Sequence, residues 1–169
     1  MQAAQIVEKP ELRVVGLAAP FISGLSPDAT NSEVIGPLWD QFLHRAAQVP
    51  NRLGREMYGI IFERPAGDRR HPHEMQYVAG VRVSSPAAVP DGMVGHTVPA
   101  AAFAVFTHRG PVKTIGHTLA EIYRDWLPRS GYRHAGLADV EQYDHRFRVD
   151  RDDSEMEYWV SVVPESQSG

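Results

Sequence analysis

Strand, turn and helix signals follow one another most clearly between residues 101 and 147. Residues 103–107 form a β-branched and aromatic run that predicts a strand, which Gly110 and Pro111 end. An amphipathic helix is predicted next, because apolar residues recur on one face at helical spacing: Ile115, Leu119, Ile122, Tyr123 and Trp126. Pro128 ends the helix, and an extended run follows over residues 140–147. Strand alternation there places four residues on one predicted face: Glu141, Tyr143, His145 and Phe147.

The first half of the chain shows the same order of signals. A helical stripe begins near Thr30, which has capping-box spacing to Glu33. Pro37 must lie in the first turn of this helix or kink it, because proline has no N–H to donate. The other predicted elements are a strand at 12–17, a loop at 18–27, strands at 58–63 and 77–83, and a Pro- and Gly-rich crossover at 84–96.

Matching elements of the two halves lie about eighty to ninety residues apart, which indicates an internal repeat. We therefore predict an α+β fold of two β-α-β-β units, about 7–83 and 98–164, related by a pseudo-two-fold axis. Both helices are expected on one face of an antiparallel sheet, with a ligand cleft between them. Residues 1–169 are expected to form one domain. Chance similarity of two generic α+β patterns is the alternative, and the agreement in element order, type and spacing weighs against it.

Composition and charge exclude several classes of function. The net charge is −4 and the 17 Lys and Arg residues are dispersed, which argues against direct binding of nucleic acid. The chain has no cysteine, so it forms no disulfide and no thiolate zinc site. No apolar run approaches the roughly 20 residues that cross a bilayer, and the N-terminal residues lack the apolar core of an export signal. We expect a cytoplasmic protein with no membrane partner.

Five segments together resemble the GyrI-like small-molecule-binding domain, also called the AraC-type effector-binding domain: IGPLWDQF, PAAAFAVFTHRGP, IYRDWLPRSGY, VEQYD and EYWVSVVP. The resemblance runs from about residue 7 to about residue 164 and implies the tandem fold predicted above. It also implies an aromatic-walled cleft with an acidic residue that receives cationic or planar hydrophobic compounds. Members of this family serve as sensor domains of transcription activators or as stand-alone drug-sequestering proteins, and some hydrolyse strained cyclopropane-bearing natural products. A stand-alone member is expected, because the resemblance begins near the first residue.

Glu141 is the leading candidate for the acidic residue, because aromatic residues share its predicted strand face. A carboxylate covered by helices loses solvation, so it must bind a proton at a raised pKa or meet a positive partner. A solvated Glu on an exposed strand is the competing interpretation. The family resemblance favours Glu141 as part of a ligand-binding site. Eight aromatic residues are candidate ligand contacts, and only a minority are expected to touch ligand: Trp39, Tyr58, Phe62, Phe106, Tyr123, Trp126, Tyr143 and Trp159.

The leading hypothesis is a protein that binds small hydrophobic compounds, cationic or planar and aromatic, without a cofactor. The alternative is a hydrolase in which Glu141 activates water as general base while Tyr143 protonates or steadies the leaving group. No metal site is expected, since the closest histidine pair, His71 and His73, lies in a charged loop with no second pair of ligands. A protein partner and the oligomeric state stay open.

Overall fold

The computed structural model describes residues 4–166, which contain nine strands and two α-helices. The strands are β1 (Gln5–Lys9), β2 (Leu12–Ile22), β3 (Arg52–Glu63), β4 (Glu74–Val83), β5 (Val94–Val98), β6 (Ala101–Arg109), β7 (Tyr132–His134), β8 (Asp139–Tyr143) and β9 (Glu155–Pro164). The helices are α1 (Asn31–Arg45) and α2 (Ile115–Ala120), and α2 continues as a π-helical segment (Glu121–Trp126) and a 3-10 turn (Leu127–Arg129). No helix within residues 4–166 is both long and apolar enough to cross a membrane.

The strand order shows how the two units combine. It is β1-β6-β9-β8-β3-β4-β2-β5, with β7 added beside β9, and the strand pairs are antiparallel. In each unit the strand before the helix lies outermost, the last strand lies next to it, and the strand after the helix reaches the centre of the sheet. The two centres, β3 and β8, pair with each other. This is the pseudo-two-fold connectivity that the repeat predicted.

The sequence predicted none of the strands β1, β5 and β7, and two of them, β1 and β5, exchange partners between the units. β1 leads into β2 but pairs with β6, while β5 leads into β6 but pairs with β2. Only residues 10–11 separate β1 from β2, and only residues 99–100 separate β5 from β6. These short links bring the two ends of the strand order together, so the sheet curls.

Both helices lie on the same face of this sheet. Residues that pair directly share a face, and one row on that face runs across five strands: Ala79, Gly59, Glu141, Tyr158 and Phe106. Phe42 of α1 packs with Ala79 at one end of this row, and Ile122 of the π-helical segment packs with Phe106 at the other end. The predicted placement of the two helices is therefore confirmed.

The opposite face of the sheet is the inside of the curl and holds a separate core. Residues from both ends of the strand order meet there, including Leu12, Val98, Phe103 and Trp159. Their burial on this face, away from both helices, explains why β3, β4 and β9 carry apolar residues on both sides.

Several local predictions need correction. Thr30 forms no capping box; its Oγ1 accepts a hydrogen bond of 2.8 Å from the backbone N–H of Ile22, because β2 runs on through the residues predicted as a loop. The strand predicted over 140–147 ends at Tyr143, because Asp144 accepts bonds from the Arg146 backbone and guanidinium and turns the chain. His145 and Phe147 therefore do not continue the strand face of Glu141.

Candidate functional site

A cleft of about 340 Å³ lies between the two helices above the centre of the sheet. Ile35 of α1 forms one wall, Ile115 and Leu119 of α2 form the other, and Ile61 and Met75 belong to the strands beneath. The segments that complete the rim are residues 23–25 and 136–137. The volume lies within the range of small-molecule sites, about 300 to 1,000 Å³.

The charged groups of the cleft are almost all acidic. Glu141, Asp139 and Glu63 contribute carboxyl groups and His134 an imidazole, while no Lys or Arg stands among the described residues that line the cleft. The local potential is therefore negative when His134 is neutral, although the walls are mainly apolar.

Glu141 is the most unusual of these groups. Its residue surface is only 6% exposed, and no Lys, Arg or His of residues 4–166 lies within ion-pair distance. The Tyr77 hydroxyl donates to Glu141 Oε1 at 2.6 Å. Burial raises the pKa of the Glu141 carboxyl above its ordinary value, while hydrogen bonds from Tyr77 and Tyr143 lower it and the nearby Asp139 charge raises it.

The hydrogen bond between Tyr77 and Glu141 crosses β3 at Gly59. Gly59 pairs with Glu141 of β8 on one side and with Ala79 of β4 on the other. A methyl group on Gly59 would overlap the Tyr77 hydroxyl and lie 2.6 Å from Glu141 Oε1. The missing side chain therefore makes room for a phenol of the first unit to reach a carboxylate of the second.

Asp139 lies two residues before Glu141 and faces the same way, but it is surrounded by donors. The hydroxyls of Tyr123 and Tyr158 both donate to Oδ2, the latter at 2.8 Å, and His134 Nε2 lies 2.8 Å from Oδ1. The backbone N–H of Gly136 donates to His134 Nδ1 at 2.9 Å, so the neutral ring carries its proton on Nε2 and donates it to Asp139. With both ring nitrogens engaged, His134 has no free nitrogen to act as a base.

The predicted ligand contacts are distributed over four places. Tyr123 lines the cleft with Glu141. Trp39 and Tyr143 pack beside Glu141 with their ring centroids 5.5 Å apart, but neither lines the cleft. Trp126 packs on Phe106 at 5.0 Å, in the core beneath the second helix.

Tyr58, Phe62 and Trp159 occupy strand positions that face away from Glu141. Tyr58 and Trp159 contact each other in the core inside the curl, with ring centroids 6.2 Å apart. Phe62 contributes to the cleft wall, but its ring stacks on His96 at 4.2 Å and packs against that same inner core. Strand alternation turns Tyr58 and Trp159 away from the cleft, while Phe62 reaches its wall, so a role of these three residues in ligand contact stays a prediction.

Sequence reasoning missed Tyr77, Asp139 and Tyr158, which supply most of the polar contacts of the floor. Asp139 precedes Glu141 by one strand period, so the same argument that selected Glu141 could have found it. Tyr77 lies on another strand, and its contact with Glu141 depends on the pairing of β3 with β4 and β8. The lone glycine within the strand run of β3, Gly59, was the available signal of a close approach.

Comparison with known proteins identifies relatives over nearly the whole chain. The family model of the GyrI-like small molecule binding domain matches residues 2–163. The transcriptional regulator BrlR of Pseudomonas aeruginosa is 35% identical over 161 residues, which cover 94% of this chain and 55% of BrlR. The chain thus spans about half the length of this relative.

Two of the solved structures with the same fold are complexes, one with a small molecule and one with DNA. SAV2435 bound to tetraphenylphosphonium matches with a TM-score of 0.75 at 15% identity, covering 96% of this chain and 94% of that one. EcmrR in a complex with DNA matches with a TM-score of 0.63 at 14% identity, covering 96% of this chain and 57% of that one. At these identities the likeness establishes the fold, a curled antiparallel sheet with two helices.

Proposed function

The chain belongs to the GyrI-like small molecule binding domain family, and on that premise we propose that it captures hydrophobic compounds, cationic or planar and aromatic, in the cleft between α1 and α2. In this proposal Glu141 supplies the charge that attracts a cation. The apolar walls supply contact area.

The observation that carries the proposal is a buried carboxylate at the floor of an apolar cleft, with no basic partner among residues 4–166. A charge in such a place loses hydration, and its two phenol donors replace only part of it. A lipophilic cation would restore the missing counter-charge without requiring a polar wall. No Lys or Arg among the described lining residues would compete with it.

The apolar walls and the carboxylate are expected to contribute different amounts to the free energy of binding. Burying about 300 Å² of apolar ligand area contributes roughly 7 kcal/mol before the cost of association. One charge-assisted contact contributes about 1.5 to 3 kcal/mol. The walls therefore supply most of the affinity and Glu141 selects charge, which favours broad specificity for shape. The tetraphenylphosphonium complex of SAV2435 supports a bulky cation as the first probe.

The hydrolase alternative receives less support from the geometry. Tyr143, the candidate acid, packs between Trp39 and Phe147 and does not line the cleft. His134 has both nitrogens engaged and offers no second base. We therefore propose binding rather than turnover. The absence of direct nucleic-acid contact stays a prediction for this chain.

The test compares two ions of one shape and opposite charge by calorimetry at about pH 7.5. Tetraphenylphosphonium should bind more tightly than tetraphenylborate. Glu141→Gln should weaken binding of the cation by about 1.5 to 3 kcal/mol, roughly 10- to 150-fold in Kd. Binding of the anion should be unchanged or tighter.

Glu63→Gln is the matched control, because Glu63 lines the same cleft but its side chain is 72% exposed and paired with Arg69. The loss of cation affinity in Glu63→Gln should be several-fold smaller than in Glu141→Gln, because solvent screens the Glu63 charge. Equal losses in the two variants, or equal affinity of the wild type for the two ions, would contradict the proposal.

A further inference from the structure

Trp39 lies on α1, outside the cleft, yet it is linked to Glu141 by two hydrogen bonds. Its indole Nε1–H donates to the Tyr77 hydroxyl at 2.8 Å, and that hydroxyl donates to Glu141 Oε1 at 2.6 Å. With Glu141 ionised, the hydrogen atoms of these two bonds can be arranged in only one way. An indole N–H can only donate, so the phenol oxygen accepts from it and its single proton points to the carboxylate.

We propose that Trp39 is a positioning residue for the ligand-binding carboxylate, acting through Tyr77 to hold Glu141 ionised and oriented towards the cleft. The inference rests on the proposed function for the role of Glu141, but the chain itself is a property of the protein without ligand.

The surroundings of the chain favour this role. The Tyr77 side chain is fully buried, so water cannot replace either bond. Burial and the Glu141 charge raise the pKa of the Tyr77 phenol. The Trp39 hydrogen bond acts in the opposite direction and so makes the phenol a stronger donor than it would otherwise be. Stronger donation favours the ionised carboxylate. The other titratable groups that interact with Glu141 are Tyr143, Asp139 and Tyr158.

The path of the chain also links the two units. Trp39 and Tyr77 belong to the first unit and Glu141 to the second, and Gly59 provides the gap through which the phenol passes. The position of α1 therefore affects a carboxylate that a different unit carries.

The experiment follows Glu141 directly by carbon NMR of the side-chain carboxyl during a pH titration without ligand, with Glu141→Gln to assign the signal. Trp39→Phe should move the titration midpoint of Glu141 upward, and Tyr77→Phe should move it further. The double variant should match Tyr77→Phe alone, because Trp39 acts only through the phenol. Trp126→Phe, the same change on the other helix, should leave the midpoint unchanged.

Replacing Trp39 with benzothienylalanine removes the N–H while keeping the bicyclic shape, so it separates the hydrogen bond from packing should the phenylalanine variant be unstable. Tetraphenylphosphonium affinity near the midpoint should fall roughly two- to five-fold in either variant. An unchanged midpoint after loss of the N–H, or shifts that add in the double variant, would overturn the inference. A wild type that binds both tetraphenyl ions equally would instead contradict the proposed function alone.

Discussion

Asp139 and Glu141 lie two residues apart on one face of β8 and are equally buried, each with 6% of its residue surface exposed, yet their surroundings differ. Asp139 accepts from two phenols and an imidazole, all from the second unit. Glu141 has the Tyr77 phenol, which reaches it from the first unit, and the Tyr143 phenol beside it. The first carboxylate has enough donors to be structural. The second has fewer donors and no basic partner among residues 4–166, and the proposed cation site rests on this difference.

The two helices that cover these carboxylates also differ. α1 is a regular helix of 15 residues, whereas α2 has 6 residues before it changes to a π-helical segment. That segment buries Ile122 in the core and brings the Tyr123 hydroxyl to Asp139. π-helical turns occur frequently at functional sites. The irregular segment after α2 therefore supplies a hydrogen-bond donor to Asp139, whereas the regular helix α1 carries Trp39, which is linked to Glu141 through Tyr77.

Removing the acceptor at Asp139 should give the largest loss of stability. Asp139→Asn replaces one carboxylate oxygen with an NH2 group that donates and cannot accept, so at least one donor to Asp139 loses its partner. We expect the free energy of unfolding to fall by about 2 to 4 kcal/mol, measured by urea denaturation. Glu141→Gln is the matched comparison. A smaller cost for Asp139→Asn than for Glu141→Gln would reverse the roles assigned to the two carboxylates.

Filling the space at Gly59 in β3 should give the second-largest effect. In Gly59→Ala the new methyl group overlaps the Tyr77 hydroxyl and forces it from Glu141. We expect a loss of about 1 to 3 kcal/mol in unfolding free energy, together with loss of the preference for tetraphenylphosphonium over tetraphenylborate. Gly95→Ala is the control, because a methyl group on that strand meets its nearest neighbour at 3.4 Å. Retention of full cation preference in a folded Gly59→Ala protein would show that the Tyr77 contact is dispensable.

The charge of Glu141 should make stability depend on pH. Since its pKa is raised in the folded protein, the folded state keeps a proton that the unfolded state releases above about pH 4.5, the ordinary value. Stability should therefore fall as pH rises from there through the folded pKa. Glu141→Gln should remove this slope and be more stable than the wild type near pH 8, by of order 1 kcal/mol. Identical pH profiles for both proteins, measured by thermal unfolding, would mean that the carboxylate is not desolvated.

His134 should give the smallest effect and in a different pH window. The hydrogen bond with Asp139 raises the pKa of His134 although burial opposes it. A raised pKa means that the stabilisation is present below the ordinary value of 6.5 and is lost as pH rises through the folded value. His134→Asn should flatten the profile only above about pH 6.5 and leave in place the fall in stability that begins near pH 4.5. A variant that alters only the lower window would place the titration on Glu141 instead.

Local periodicity alone determined a large part of this protein. The spacing of apolar residues predicted both helices and the strands that follow them, because helical and strand periods are properties of short segments. The repeat of those patterns predicted that β3 and β8 occupy equivalent places and that both helices cover one face. Glu141 could be selected because its neighbours along one strand are aromatic. The π-helical segment left no comparable trace, since the apolar stripe of 115–126 reads as one continuous helix.

Tertiary structure decided the rest, because alternation along a strand defines two faces without saying which one the helices cover. Tyr158 points to the cleft and Trp159 into the curl, and only the pairing of β9 with β8 and β6 decides between them. The exchange of β1 and β5 between units depends on pairing partners about ninety residues away. The Trp39–Tyr77–Glu141 chain likewise joins a helix and two strands that are far apart in sequence. Its geometry follows from sheet register and from the space at Gly59, neither of which a local pattern contains.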